Sequence, residues 1–154
     1  MNITVIYDSV FGNTKKVSEE IAKAINSDVN VINVSDFDSQ ELNTLDFIII
    51  GSPTRGFKPT KGIVELLKKI SKLEKILKVA CFDTRIHISN KDPWILRKLV
   101  KKFGYAIDSM SKILSKNNLL DLHESNYFYV SGTEGPLHSE ELNRAFEWAK
   151  DISK

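Results

Sequence analysis

Cysteine is almost missing. Cys81 stands alone in 154 residues, which excludes a disulfide framework. The three histidines, His87, His123 and His138, fall in separate segments without His-x-x-x-His spacing, so no metal site is expected. Proline and glycine are scarce at four and seven, and no linker, repeat or low-complexity tract divides the chain. One domain over 1–154 is therefore expected at roughly 150 residues per domain. No apolar run approaches the roughly 18 residues that span a bilayer, and Met1-Asn2-Ile3-Thr4 lacks the basic start of a signal peptide. The expectation is a cytoplasmic protein without a membrane partner. Excess charge is missing as well: 22 Lys and Arg face 20 Asp and Glu, a net +2. That balance argues against nucleic acid as a partner.

The order of patterns is legible. Short apolar runs at Ile3 to Tyr7, Val29 to Val34, Phe47 to Ile50, Val79 to Phe82 and Leu119 to Val130 alternate with stretches of helical spacing. Val17, Ile21, Ala24 and Ile25 form one apolar stripe, and Ile63, Leu66, Leu67 and Ile70 another. Asp92-Pro93 reads as an N-cap followed by proline at the first helical position. Behind it Trp94, Leu99, Phe103, Ala106, Met110 and Ile113 continue a long helix with Gly104 as a bend. Ser139 reads as the cap of a last helix with Leu142, Ala145, Phe146, Ala149 and Ile152 inward. Phe47 to Ile50 and Val79 to Phe82 are apolar without alternation, as strands covered on both faces are. The fold class is α/β, three layers around a doubly wound parallel sheet, with ligands expected beyond the carboxyl ends of the strands.

Three strand-end loops carry the chemistry. Ser9-Val10-Phe11-Gly12-Asn13-Thr14 runs from the first strand into a helix. Gly12 allows close backbone approach, unpaired N–H groups point outward at the helix start, and Ser9, Asn13 and Thr14 add donors. It contains neither Gly-Lys-Ser/Thr nor three spaced glycines, so it suits a terminal monophosphate held by neutral donors rather than a nucleoside triphosphate or a dinucleotide. Ser52-Pro53-Thr54-Arg55-Gly56-Phe57 follows the third strand as a shaped turn, and Asp83-Thr84-Arg85-Ile86-His87 follows the fourth.

These three segments together resemble the flavodoxin family. Ser9 to Thr14 is similar to that family's FMN phosphate loop, Gly51-Ser52-Pro53-Thr54 to the loop beside the isoalloxazine, and Ala80 to Arg85 to the segment at the pyrimidine edge. Leu119 to His123 and Tyr127 to Val130 are similar to an interrupted fifth strand, and Gly132-Thr133-Glu134-Gly135-Pro136-Leu137 leads to the final helix. The resemblance implies a flavodoxin-like sandwich with strand order 2-1-3-4-5 and FMN as cofactor. It also implies redox partner proteins and a monomeric state. Its implied cofactor residues are Ser9, Val10, Phe11, Gly12, Asn13 and Thr14 for the phosphate. Ser52, Pro53, Thr54, Arg55, Gly56 and Phe57 would take one ring side, with the Gly56 carbonyl toward the flavin N5. Asp83, Thr84, Arg85 and His87 would take the pyrimidine edge and the opposite face.

The expected activity is electron carriage between proteins rather than catalysis by side chains. Two alternatives stand beside it. Arg55 and the lack of Trp or Tyr in these loops resemble FMN-dependent quinone reductases, and a flavodoxin-fold binding module without cofactor is the other. Electron-carrying flavodoxins tend to be acidic and this chain is slightly basic, so Arg55, Arg85 and His87 are expected to raise the flavin's second-electron potential. Cys81 reads as a small buried hydrophobe. The Lys-rich stretch Lys61 to Lys78 and the cluster Arg97, Lys98, Lys101 and Lys102 could attract an acidic partner or nucleic acid but read more simply as wet helix sides, with few aromatics for base stacking and an acidic redox partner left open.

Overall fold

Side-chain alternation along the central strands decides the layers. In β1 (Ile3–Tyr7), β3 (Phe47–Pro53) and β4 (Leu77–Ile86), successive residues face opposite sides of the sheet. Ile6, Ile48, Ile50, Val79 and Cys81 meet the stripes of α2 (Lys61–Ile70) and α4 (Ala106–Leu114). Val5, Phe47, Ile49, Ala80 and Phe82 meet α1 (Asn13–Ile25) and α5 (Glu141–Ile152). The result is a sheet with apolar cores on both faces. The computed structural model describes residues 1–25 and 28–154.

β2 (Asn30–Asn33) pairs with β1, β1 with β3, and β3 with β4, all parallel. The last strand comes in two pieces, β5 (Leu120–Leu122) and β6 (Asn126–Val130), which lie in succession along β4. The order is thus β2-β1-β3-β4-β5 with β6 also on β4, as the resemblance implies. Strands β3 and β4 run longer than their apolar cores because polar Ser52, Asp83, Thr84 and Arg85 keep the ladder register. Tertiary pairing, not hydrophobicity, sets those ends.

Four local expectations need correction. Asp92 does not cap a helix; its carboxylate accepts the Ser89 N–H at 2.7 Å, and α3 (Trp94–Phe103) starts one residue later behind Pro93. The long helix is two helices. Gly104 takes φ 71, a left-handed conformation that glycine adopts without Cβ strain, and the Tyr105 N–H then bonds the Asp108 carboxylate at 2.7 Å. Glu140 rather than Ser139 occupies the cap position of α5. Leu142 is exposed rather than inward, because the buried slot in that turn goes to Glu141, whose carboxylate accepts the Tyr129 N–H and pairs with Arg144.

Candidate functional site: a two-part cleft at the strand ends

Polar groups gather where β1 ends. The Gly12 N–H donates to Ser9 Oγ at 3.0 Å, which folds the loop back on itself, and Gly12 takes φ 91 with open space where a Cβ would stand. Behind it the first N–H groups of α1 have no intrahelical acceptor, and the first turn contains no acidic side chain. Thr14 is buried and shares a 2.8 Å hydrogen bond with the Thr84 hydroxyl of β4. Asn13 donates to the Glu134 carbonyl at 3.1 Å, bringing the loop after β6 alongside. These groups border a cavity of about 300 Å³ lined by Ser9, Val10, Phe11, Asn13, Thr14, Pro53, Thr54, Arg55, Gly56, Thr84, Arg85, Ile86, Val130 and Thr133.

A second, more apolar cavity of about 160 Å³ adjoins it. It shares Thr54, Gly56, Arg85 and Ile86 with the first and adds Phe57, Ile88, Leu96, Val100 and Tyr105. Arg55 and Lys58 exchange backbone hydrogen bonds of 2.8 and 3.0 Å, a tight turn that puts Phe57 at φ 68. Phe57 packs 5.8 Å from Phe103, and Arg55 reaches over the Phe11 ring at 5.5 Å. The turn after β3 is thereby tied to the first loop and to α3.

A buried ion pair anchors this end. Both Asp83 oxygens accept from Arg85 at 2.7 Å, and Asp83 Oδ2 also accepts the Ile107 N–H at 3.0 Å. Thr54 Oγ1 accepts the Ala106 N–H at 3.0 Å, so the start of α4 is satisfied by two strand-end side chains. The guanidinium lies between two rings, 3.8 Å from Tyr105 and 4.3 Å from Tyr127. Burial pushes the Asp83 carboxyl up from its ordinary value, while the Arg85 hydrogen bonds and charge and the Ile107 N–H pull it back. The two-pronged geometry is that of a carboxylate and guanidinium that neutralise each other. Burial likewise raises the Tyr105 phenol.

Thirteen of the sixteen sequence-expected residues line the cavities or form the loop beneath them; Gly12 belongs to the latter group. Three do not. Ser52 is fully buried, with its hydroxyl accepting the Thr60 N–H at 3.1 Å. The Asp83 carboxylate faces Arg85 and α4. His87 is exposed and packs 4.8 Å from Tyr129, outside both cavities. The expected contribution of Arg85 as a free positive charge needs correction too, since Asp83 cancels it. Sequence reasoning missed Val130, Thr133, Ile88, Leu96, Val100 and Tyr105. Thr133 and Val130 had a signal, because the first lies in a loop that follows a strand and the second ends that strand; the others lie between the end of β4 and the start of α4.

A parallel sheet in this order, with a helix start and an adjoining apolar slot at its strand ends, defines a doubly wound α/β protein of the kind that takes ligands outside the carboxyl ends of its strands. The family model of the flavodoxin domain matches residues 4–121, and the chain belongs to the flavodoxin family. A flavodoxin of Clostridium beijerinckii is 46% identical over 55 residues, which span 34% of this chain and 40% of that protein. A flavodoxin from the domain Archaea matches with TM-score 0.62 and 21% identity over 99% of this chain and 96% of its own. Oxidised flavodoxin 1 from Bacillus cereus matches with TM-score 0.64 and 17% identity over 97% and 95%. At those identities the structural likeness is one of fold. Among the described residues no helix is long and apolar enough to cross a membrane.

Proposed function

We propose that the chain binds FMN noncovalently and carries electrons between partner proteins in the cytoplasm. The observation that supports this most directly is the meeting of two unlike cavities at Thr54, Gly56, Arg85 and Ile86. One is polar and backed by a helix start; the other is lined by aliphatic and aromatic side chains. A phosphorylated chain ending in a flat ring fits that pairing. Ser9, Asn13, Thr14 and Thr133 would hold the phosphate through hydroxyl, amide and backbone donors. Phe57, Ile86, Leu96 and Tyr105 would exclude water from the ring. Bound FMN would supply the redox chemistry, which no side chain here replaces.

The chain's own residues do the rest. The Asp83 and Arg85 pair keeps its charges in fixed places between Tyr105 and Tyr127, so the ring cavity gains a rigid polar floor without a net charge. The only cysteine, Cys81, is buried, and burial pushes its thiol up to about 12, so it stays a neutral hydrophobe and takes no part.

Titration of the purified chain with FMN, followed by fluorescence quenching, tests the binding, with riboflavin as the comparison. Quenching by FMN at least 10-fold tighter than by riboflavin is expected; unquenched FMN, even after unfolding and refolding, rejects the reading. Turnover separates carrier from reductase. A flavin-loaded carrier gives negligible NAD(P)H-dependent quinone reduction without an added reductase, and rapid reduction would favour the enzyme.

A further inference from the structure

Helix α3 differs from every other described α-helix in burying none of its residues, whereas α1, α2, α4 and α5 each bury three or more. It is nevertheless amphipathic. At 100° per residue Leu96, Leu99, Val100 and Phe103 fall on one side. Leu96 and Val100 line the ring cavity, and Phe103 meets Phe57. Arg97, Lys98, Lys101 and Lys102 fall on the other side with Trp94, and all five are exposed. Beyond the neutralised Arg85, segment 86–103 has five basic residues and one acidic one, Asp92, whose carboxylate is committed to Ser89. Among the described residues none of the four cations of α3 forms a salt bridge, although the chain as a whole carries only +2. The positive charge is therefore concentrated beside the ring cavity.

We infer that the outer face of α3, with Arg97, Lys98, Lys101 and Lys102 around Trp94, is the docking surface for an acidic redox protein. The inference rests on the electron-carrier reading and names the partner's chemistry. A cationic face with one exposed aromatic at its centre matches an acidic patch that offers a shallow apolar spot, and it steers encounter by charge. Position adds the second reason: a partner seated there stands one helix diameter from the ring cavity, on the side where Leu96 and Val100 wall it. A membrane is disfavoured because Leu96 and Val100 on the apolar side of α3 line the cavity, which leaves no continuous outward apolar face to insert. Nucleic acid is disfavoured because Trp94 is the one aromatic on the cationic side, short of a stacking platform.

The test is a nuclear magnetic resonance titration of the labelled, FMN-loaded chain with an acidic plant-type ferredoxin. A basic cytochrome c, a short DNA duplex and phosphatidylserine vesicles are titrated in parallel. Ferredoxin is expected to shift resonances of residues 94–103, with affinity falling at least ~10-fold between about 50 and 300 mM salt. The combined R97E, K98E, K101E and K102E variant is expected to weaken binding at least ~10-fold while leaving the flavin spectrum and melting temperature unchanged. No ferredoxin binding, shifts centred elsewhere, equal binding by the variant, or tighter binding of DNA, vesicles or cytochrome c to this face would each overturn the inference. Failure of the carrier reading shows separately, as FMN left unquenched or as rapid NAD(P)H-dependent quinone reduction by the chain alone; in the first case the same titration on the flavin-free chain still reads the face.

Discussion

At the phosphate end of the proposed FMN cleft, Ser9, Gly12, Asn13 and Thr14 lie within six residues, and the turn from β1 into α1 positions them. At the ring end Thr54, Arg85, Leu96 and Tyr105 come from four segments held by the Asp83 bridge, the Arg85 stack and the Phe57–Phe103 contact. A locally built cradle tolerates damage elsewhere because most of its donors, backbone and side chain, belong to one turn and the helix start behind it. An assembled slot depends on each tie. The difference teaches that phosphate grip and ring enclosure should fail separately.

The largest expected effect breaks the assembled end. Asp83→Ala would leave the Arg85 guanidinium buried without its partner and the Ile107 N–H without its acceptor. Loss of about 3–5 kcal/mol in urea unfolding is expected. A loss under 1 kcal/mol would show that the pair does not hold the ring end. Replacing the pair by apolar residues of similar volume should recover part of that loss.

Next in size is the core on the α2 and α4 side of the sheet, where Cys81 lies two residues before Asp83 on β4. The Cys81 thiol is raised by burial from its ordinary 9.0 to about 12. Because the folded state holds this proton more tightly, its contribution is complete below about pH 9 and is lost as pH climbs toward about 12. The slope is roughly 1.4 kcal/mol per pH unit. At pH 10.5 the loss relative to pH 8 should exceed that of Cys81→Ala by about 2 kcal/mol in parallel denaturant titrations. Identical alkaline limbs would refute it.

The local end is sharpened by Thr14→Val, which keeps shape and removes a hydroxyl. If this hydroxyl serves a charged phosphate, about 1.5–3 kcal/mol is at stake, or roughly 10- to 100-fold in FMN affinity. Riboflavin binding should change much less. Equal loss for both ligands would mean that the two ends are not independent. The smallest effect is expected for Arg55→Ala, which cuts the exposed contact across the cleft to Phe11. It should cost less than about 1 kcal/mol of FMN affinity, with the deficit shrinking at high salt.

The same contrast separates what could be read beforehand from what could not. The Ser9–Thr14 turn was legible because a strand, a hydroxyl-rich turn and a helix start follow one another in the chain. Tyr105 was hidden, since its place over Arg85 depends on the chain breaking at Gly104 and folding α4 back over β4. Asp83 carried the right address and the wrong role. Its position at a strand end suggested a ligand group, but only packing shows that the start of α4 and Arg85 consume both oxygens. Ser52 was misread for the same reason, and His87 because strand alternation does not reveal which way an exposed end turns.

Sequence alone determined the α/β alternation, the two-faced burial of β3 and β4 and the hydroxyl-rich turn into α1, because each depends on spacing within a few residues. Tertiary structure decided the ring-end slot, the neutralised Arg85 and the outward cationic face of α3. Those depend on where segments distant along the chain are brought into contact, and a buried charge or an uncovered helix face is defined by its neighbours in space.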